Sequence, residues 1–355
     1  MRMKRAVTQK DIARRLGVSQ ALVSRVLTGT SEQIGVAQAT AERIRQAAAA
    51  CHYRPSAAAL TLKGGATRTL GVVVKNFDDP FLGHMIGAIQ RLAMSSGFAL
   101  LLSGWEASQG KAADLILLRQ FRPDGLILCG SDFNPGAAKL FLAEGRPVVQ
   151  IGTGDAAPGI QQVAFDQRSG LEALVRMLVA QGHSQFGYVG DDSAPNRRRA
   201  ALMREVLQQN LRLPIAFVEV PQGPDGPLMV PLKALCMDPV RRPTAMIVAD
   251  DALAQSVLRT LHECGVRVPQ DMSLAGMDDI PMARMLIPAL TTIRQPVEAM
   301  VESAFRAVTA GNRSLGKMRT IVLAPDLMVR ESCAPPLSSL SPASSRKTTA
   351  RKRTI

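Results

Sequence analysis

Long apolar runs are missing from this chain. No stretch of about 18 or more apolar residues occurs, and a membrane-spanning helix needs that length. The basic start MRMKR is followed by TQKDIARR within a few residues rather than by an apolar segment, so no secretory signal is read there. Cysteine offers no framework either. Cys51, Cys129, Cys236, Cys264 and Cys333 are scattered, with no CxxC and no histidine at metal-ligand spacing. They read as thiols in a reducing cytosol, with no metal and no cofactor expected. His52, His84, His183 and His262 are isolated, and the chain lacks a GxGxxG after the first strand, a GxxxxGK[ST], an HExxH and a GxSxG. An enzyme built on those motifs is excluded. Aromatics are scarce at 4%, with Trp105 the one tryptophan.

What is there is positive charge, unevenly placed. Residues 1–63 hold eleven Lys/Arg against three Asp/Glu, and residues 335–355 hold five Lys/Arg and no acid, leaving +1 of the total +14 to everything between. A basic head on a nearly neutral body is the distribution of a module that meets phosphates joined to one that does not.

The head reads as helical over residues 1–53, and RPSAAALTLKGGATR reads as a hinge over 54–68. From Leu70 short apolar runs alternate with amphipathic segments: LGVVV then HMIGAIQRLAMSSG, FALLLSG then KAADLILLRQF, DGLILCG then PGAAKLFLAEG, and later QFGYVGD then RRAALMREVLQQN. That alternation predicts βαβ units and parallel sheets covered on both faces. Two such sets divide near residue 160, where VAFD precedes the helix SGLEALVRMLVAQGH. The strand LTTIRQ is expected to return toward the first half, and TIVLAPDLMVRES to complete the second. The body thus spans 69–334, and the Ser/Pro-rich basic tail 335–355 is too polar to fold.

In the head, Thr8 is placed to cap a helix with Ile12 and Leu16 on one face and the small Ala13 beside them. Gly17 permits a tight turn. Ser19 caps a second helix whose Leu22, Val23 and Val26 face inward, leaving Gln20, Ala21, Ser24 and Arg25 outward. A third helix from Ala37, with Ile44 and Ala47 inward, completes the core. This is the helix-turn-helix pattern, in which the second helix enters the major groove of double-stranded DNA. Glutamine pairs with adenine, arginine with guanine, and an alanine methyl touches thymine. In the hinge, Leu62 is an apolar wedge for a minor-groove step and Lys63 a phosphate contact; a plain linker helix is the alternative.

VTQKDIARRLGVSQALVSRVL followed by HYRPSAAALTLKGGATRTLGVVV resembles the lactose-repressor (LacI/GalR) family. The resemblance continues through NFDDPF, RPDGLIL, FDQRSG, ALVRMLVAQGH, VADDALA, GMDDIPMARMLIPALTTIRQP and MVRES, over about residues 6–333. It implies an α/β chain: a three-helix helix-turn-helix domain and hinge helix, then a two-lobed periplasmic-binding-protein-like body of two doubly wound parallel sheets. It also implies a homodimer on a palindromic operator and no membrane. The candidate DNA-binding set is Thr8, Ser19, Gln20, Ala21, Ser24, Arg25, Tyr53, Leu62 and Lys63. Leu60 stands where the family's hinge usually has a polar residue, Thr28 where asparagine often follows the second helix, and the basic tail is outside the family pattern.

Ligands of such bodies sit between the lobes at the carboxyl ends of strands. The resemblance places effector contacts at Phe81, Asp166, Arg198, Asp250 and Asp278, a set suited to the hydroxyls of a sugar or sugar derivative. Other roles stay open. Asp250 and Asp278 also suit helix capping, two of Arg197, Arg198 and Arg199 suit solvent, and Trp105 suits either a ligand ring or packing in the core. The expected function is a ligand-controlled repressor of a carbohydrate or related catabolic operon. A corepressor-dependent or global regulator of the same fold, answering to a non-sugar metabolite, is the alternative, and a periplasmic solute-binding protein is disfavoured by the DNA-reading head.

Overall fold

The computed structural model of the chain describes residues 7–27, 35–51, 53, 66–105, 118–130, 133, 135–154, 156–191, 193–210, 216–222, 229–238, 240–310 and 320–337. Thr28, the hinge residues Leu60, Leu62 and Lys63, and the basic tail from residue 338 lie outside the described residues. The chain divides into two compact units, Met1–Thr67 and Arg68–Ile355.

The first unit holds α1 (Gln9–Leu16), α2 (Gln20–Leu27) and α3 (Gln38–Ala50). Thr8 starts α1 with a reciprocal cap: its hydroxyl accepts from the Asp11 amide at 3.3 Å, and the Thr8 amide donates to the Asp11 carboxylate at 2.9 Å. Such a capping box satisfies amides that helix geometry leaves unpaired. Gly17 ends α1 at φ 66°, in the left-handed region open to glycine. Ile12, Ala13, Val23, Val26, Ala41, Ile44 and Ala48 form the core. Their small or branched side chains let short helices approach closely.

The second unit contains two six-stranded sheets. The first is ordered β11-β5-β4-β3-β1-β2, from β1 (Thr69–Val74), β2 (Ala99–Gly104), β3 (Gly125–Cys129), β4 (Val148–Ile151), β5 (Gln161–Phe165) and β11 (Ile321–Leu323). The second is ordered β12-β10-β9-β8-β6-β7, from β6 (Gln185–Asp191), β7 (Ala216–Gln222), β8 (Ala245–Val248), β9 (Ser273–Asp278), β10 (Thr291–Arg294) and β12 (Asp326–Met328). Pairing is parallel except between β10 and β12. Strands β3, β4 and β8 are buried along their whole length, as near-continuous apolar runs covered by helices require, Gln150 in β4 being the polar exception. Helices α4 (Pro80–Ser95) and α10 (Val297–Thr309) pack together on the first sheet. Helices α6 (Gln167–Ala180), α7 (Ala194–Asn210), α8 (Met229–Cys236) and α9 (Asp251–Glu263) pack on the second, and α5 (Pro135–Ala143) lies against β4.

Two strand assignments differ from the sequence reading. LTTIRQ stays in the second sheet as β10, parallel to β9, and it is Ile321–Leu323 that returns to the first, beside β5. The reason lies in the polar burial of β10. Thr291 and Thr292 are fully buried, and their partners, the Ser332 hydroxyl at 2.8 Å and the Asp251 carboxylate at 2.7 Å, belong to the second lobe. A buried donor is held where its acceptor is. The chain therefore passes between lobes after β5, at Asp166, again at Gln295-Pro296 before α10, and again at Ala324-Pro325 between β11 and β12.

Candidate functional site

In the head, the turn at Gly17 and the Ser19 hydroxyl, which accepts from the Leu22 amide at 3.2 Å, start α2. Ser19, Gln20, Ala21 and Arg25 are exposed, so three side chains able to read base edges share the surface of one short helix. Ser24 does not join them: it is 4% exposed. It sits one turn after Ala21 but beside Val23, on the flank of the apolar stripe, where a small hydroxyl is tolerated. Thr8 is spent on its capping box, and Tyr53 is half-buried against the head core. Leu62 and Lys63 belong to the hinge outside the described residues.

In the body, a cavity of about 420 Å³ opens between the lobes. The first lobe contributes Asp79, Phe81 and Met85 at the start of α4, together with the loop ends Gly130 and Thr153. The second contributes Asn196 and Arg199 from α7, Asp250 before α9 and Asp278 at the end of β9; Gln295 comes from the crossover and Met300 from α10. Of the residues the resemblance names, Phe81, Asp250 and Asp278 thus line one cavity.

Their local geometry explains how they are held. Asp250 caps α9, its Oδ1 accepting the Leu253 amide at 2.7 Å, so capping and cavity lining are one arrangement. Asp278 caps no helix. It adopts φ 110°, unusual for a residue with a side chain, and its Oδ1 accepts from the Gln295 amide at 2.6 Å. Burial raises its carboxyl well above the ordinary range, against the pull of Arg199, and Asp251 and Asp250 push it further. Asp79 caps α4 by accepting the Phe81 and Leu82 amides at 2.8 and 3.4 Å. Burial raises it too; the amide bonds oppose this and Asp250 adds to it.

Beneath the cavity, Asp251 is 0% exposed. It accepts from Thr292 and from the Ile280 amide at 3.1 Å, and burial pushes its carboxyl up to about 7. A Cβ on Gly276 would lie 2.2 Å from its Oδ1, so glycine there lets β9 pass the carboxylate. Neighbouring Asp279 behaves oppositely. Burial would raise it, but Arg330 and Arg294 outweigh that and leave it lowered, with the Arg294 contact at 2.7 Å.

Three expected contacts fall elsewhere. Asp166 is absent from the cavity wall and caps α6 through the Ser169 amide at 3.1 Å. Arg198 is exposed, and its guanidinium lies alongside Gly154. It is Arg199, 9% exposed, that lines the cavity. Its Nη1 donates to the Ala249 carbonyl, and its Nε has no hydrogen-bond partner among the described residues. The helical register carried this signal: Arg199 shares a face with the buried Met203, Val206 and Leu207. Trp105 is 7% exposed and packs edge-on against Phe133, at 5.9 Å between centroids, away from the cavity wall. Sequence reasoning missed Asp79, whose position before Pro80 is a helix-start signal, and Gln295, which no local pattern marks. No group of three His, Cys, Asp or Glu residues suited to a metal occurs among the described residues, and no described helix is long and apolar enough to cross a membrane.

Comparison with known proteins matches residues 8–56 to bacterial regulatory proteins of the lacI family and residues 175–333 to the periplasmic binding protein-like domain. The transcriptional repressor PurR of Escherichia coli O1:K1 / APEC is 30% identical over 340 residues, covering 92% of this chain and 97% of that protein. The lac repressor dimer bound to operator and the anti-inducer ONPF superposes with a TM-score of 0.76 at 26% identity, over 93% of this chain and 100% of that one. A LacI regulator from Lactobacillus casei with bound Tris superposes at 0.62 with 25% identity, over 76% and 98%. With a DNA-reading head, a two-lobed body and a full-length relative, the chain belongs to the lacI family of bacterial regulatory proteins and is a transcriptional repressor, not an enzyme.

Proposed function

We propose that this repressor binds a palindromic operator as a cytoplasmic homodimer and that a sugar or sugar derivative, held in the cleft between the lobes, controls its affinity for DNA. Gln20, Ala21 and Arg25 read base edges, while Thr8 and Ser19 hold the helix starts against the phosphate backbone. Leu62 and Lys63 are assigned to the minor groove on the resemblance alone. The exposed apolar Met282, Met285 and Ile287 offer a subunit contact.

One observation carries the reading of the body. The cavity is walled by both lobes, and Gln295, at a crossover between them, is bonded to Asp278 in its wall. A ligand bridging Asp79 of one lobe to Arg199 and Asp278 of the other changes the free energy of lobe closure directly. Only such differential binding moves an equilibrium between two arrangements. Phe81, Phe165 and Met85 supply apolar walls, and carboxylates with a guanidinium supply acceptors and a donor for hydroxyls. The regulated genes are then those of a carbohydrate or related catabolic operon.

Selection of genomic fragments by the full-length protein, beside an Arg25→Ala variant, tests the DNA half. A two-fold palindrome is expected, and the variant is expected to lose about 1–3 kcal/mol of discrimination at one base position per half-site. Uniform weakening over all sequences would remove Arg25 from base reading.

A further inference from the structure

Resting on the reading of the cleft as the effector site, we infer that its ligand is a cationic, amine-bearing polyol of the amino-sugar kind, in preference to a neutral or anionic sugar. Asp79, Asp250 and Asp278 each commit Oδ1 to the protein, and each Oδ2 has no hydrogen bond among the described residues. Arg199 lines the same cavity, its Nη1 given to the Ala249 carbonyl and its Nε buried without a partner among the described residues. The three Oδ2 atoms, on half-buried residues of the cavity wall, are acceptors open to a ligand, and a ligand that displaces their water must supply donors in its place.

Charge decides between an amine and a hydroxyl. The cavity wall holds four acidic side chains, Asp78, Asp79, Asp250 and Asp278, against two basic ones, Lys75 and Arg199. Lys75 is drawn aside, its ammonium lying over the Phe133 ring at 5.9 Å from the centroid. Asp251 adds a further acid just below. Asp79 and Asp278 are both raised by burial and pushed further by Asp250, with Arg199 offsetting only part of this at Asp278, so an added cation favours their charged forms. An ammonium supplies positive charge and three donors at once. A hydroxyl or ring oxygen beside it meets the Arg199 guanidinium, and the carbon skeleton lies against Phe81 and Phe165. A phosphate or carboxylate would add to the excess.

The test uses ligand pairs that differ in one group. Isothermal titration of the full-length protein with Tris against pentaerythritol, and with glucosamine against glucose, compares an amine with its neutral counterpart; gluconate serves as the anion. The amine member is expected to bind about tenfold tighter, the worth of a charge-assisted bond. That preference is expected to vanish in an Asp250→Asn, Asp278→Asn double variant, which keeps each Oδ1 acceptor and hence the fold. Equal or tighter binding of the neutral or anionic member, or no amine binding up to the millimolar range, would overturn the inference. If a neutral or anionic compound binds and Arg199→Ala abolishes it, the cleft remains the effector site and only the amine requirement falls. If a compound binds and none of the cavity variants affects it, the cleft reading falls as well.

Discussion

The head and the body place their functional residues in opposite ways. In the head, the described core is apolar apart from Ser24, and the side chains assigned to base reading, Gln20, Ala21 and Arg25, stand exposed on one helix within six residues of sequence. In the body, the side chains assigned to the ligand are buried or half-buried and come from the starts of α4, α7 and α9, the end of β9 and a crossover, positions spread from Asp79 to Gln295. A DNA-reading surface needs only a stable helix with the right face outward. A ligand site needs desolvated charge held in place, and its framework must bear the cost.

Substitutions that disturb one unit and spare the other sharpen this contrast. The largest effect is expected from Val23→Asp, which buries an unpaired carboxylate in the small apolar core of the head. A loss of roughly 4 kcal/mol or more is enough to unfold so small a unit. Operator binding by the full-length protein should disappear while ligand binding to the body persists, as read by titration of each. Asp279→Ala is the counterpart in the body: it strands Arg294 and Arg330, and removing one partner of a buried network costs about 3 kcal/mol. The body's melting transition should fall in calorimetry, and the specificity of the head for its operator should not change.

A smaller effect comes from pH. The Asp251 carboxyl is pushed up to about 7 in the folded protein from an ordinary 3.8, so between those values the folded state keeps a proton that the unfolded chain has lost. Stability must fall as pH rises through this window, by at most about 1.4 kcal/mol per unit from this group, and level off above it. Denaturant titrations from pH 4 to 8 should show that decline in the parent protein and a flatter profile in Asp251→Asn. Last, Thr8→Ala removes the α1 cap and should cost the head about 1 kcal/mol, seen as a small loss of helix stability by circular dichroism.

The same contrast explains what the sequence makes legible. Helix faces in the head follow from local periodicity, and Ile12, Val23, Val26 and Ile44 lie where that periodicity puts them. Ser24 escapes it because polarity does not force a small hydroxyl outward. In the body, the alternation of strands and helices is local and can be read, whereas sheet membership depends on distant partners. Thr292 belongs with Asp251, 41 residues away, and nothing in LTTIRQ alone announces it. Asp166, Arg198 and Trp105 show the limit of reading a site by motif. Each has a suitable side chain, and each is claimed by capping, by exposure at the rim or by the core. Arg199 could be chosen from three adjacent arginines only by extending the apolar stripe of α7 backward to its second turn.

The central claim is that occupancy of the cleft sets the affinity of the head for DNA. Its most direct test is to measure the operator Kd of the full-length protein with and without a saturating compound found to bind the cleft, in parallel with an Arg199→Ala variant. The parent protein should show a shift within the usual range of about 5- to 150-fold, and the variant should keep the ligand-free affinity but lose the shift. An operator Kd indifferent to the ligand, or a shift that survives in the variant, would contradict the account.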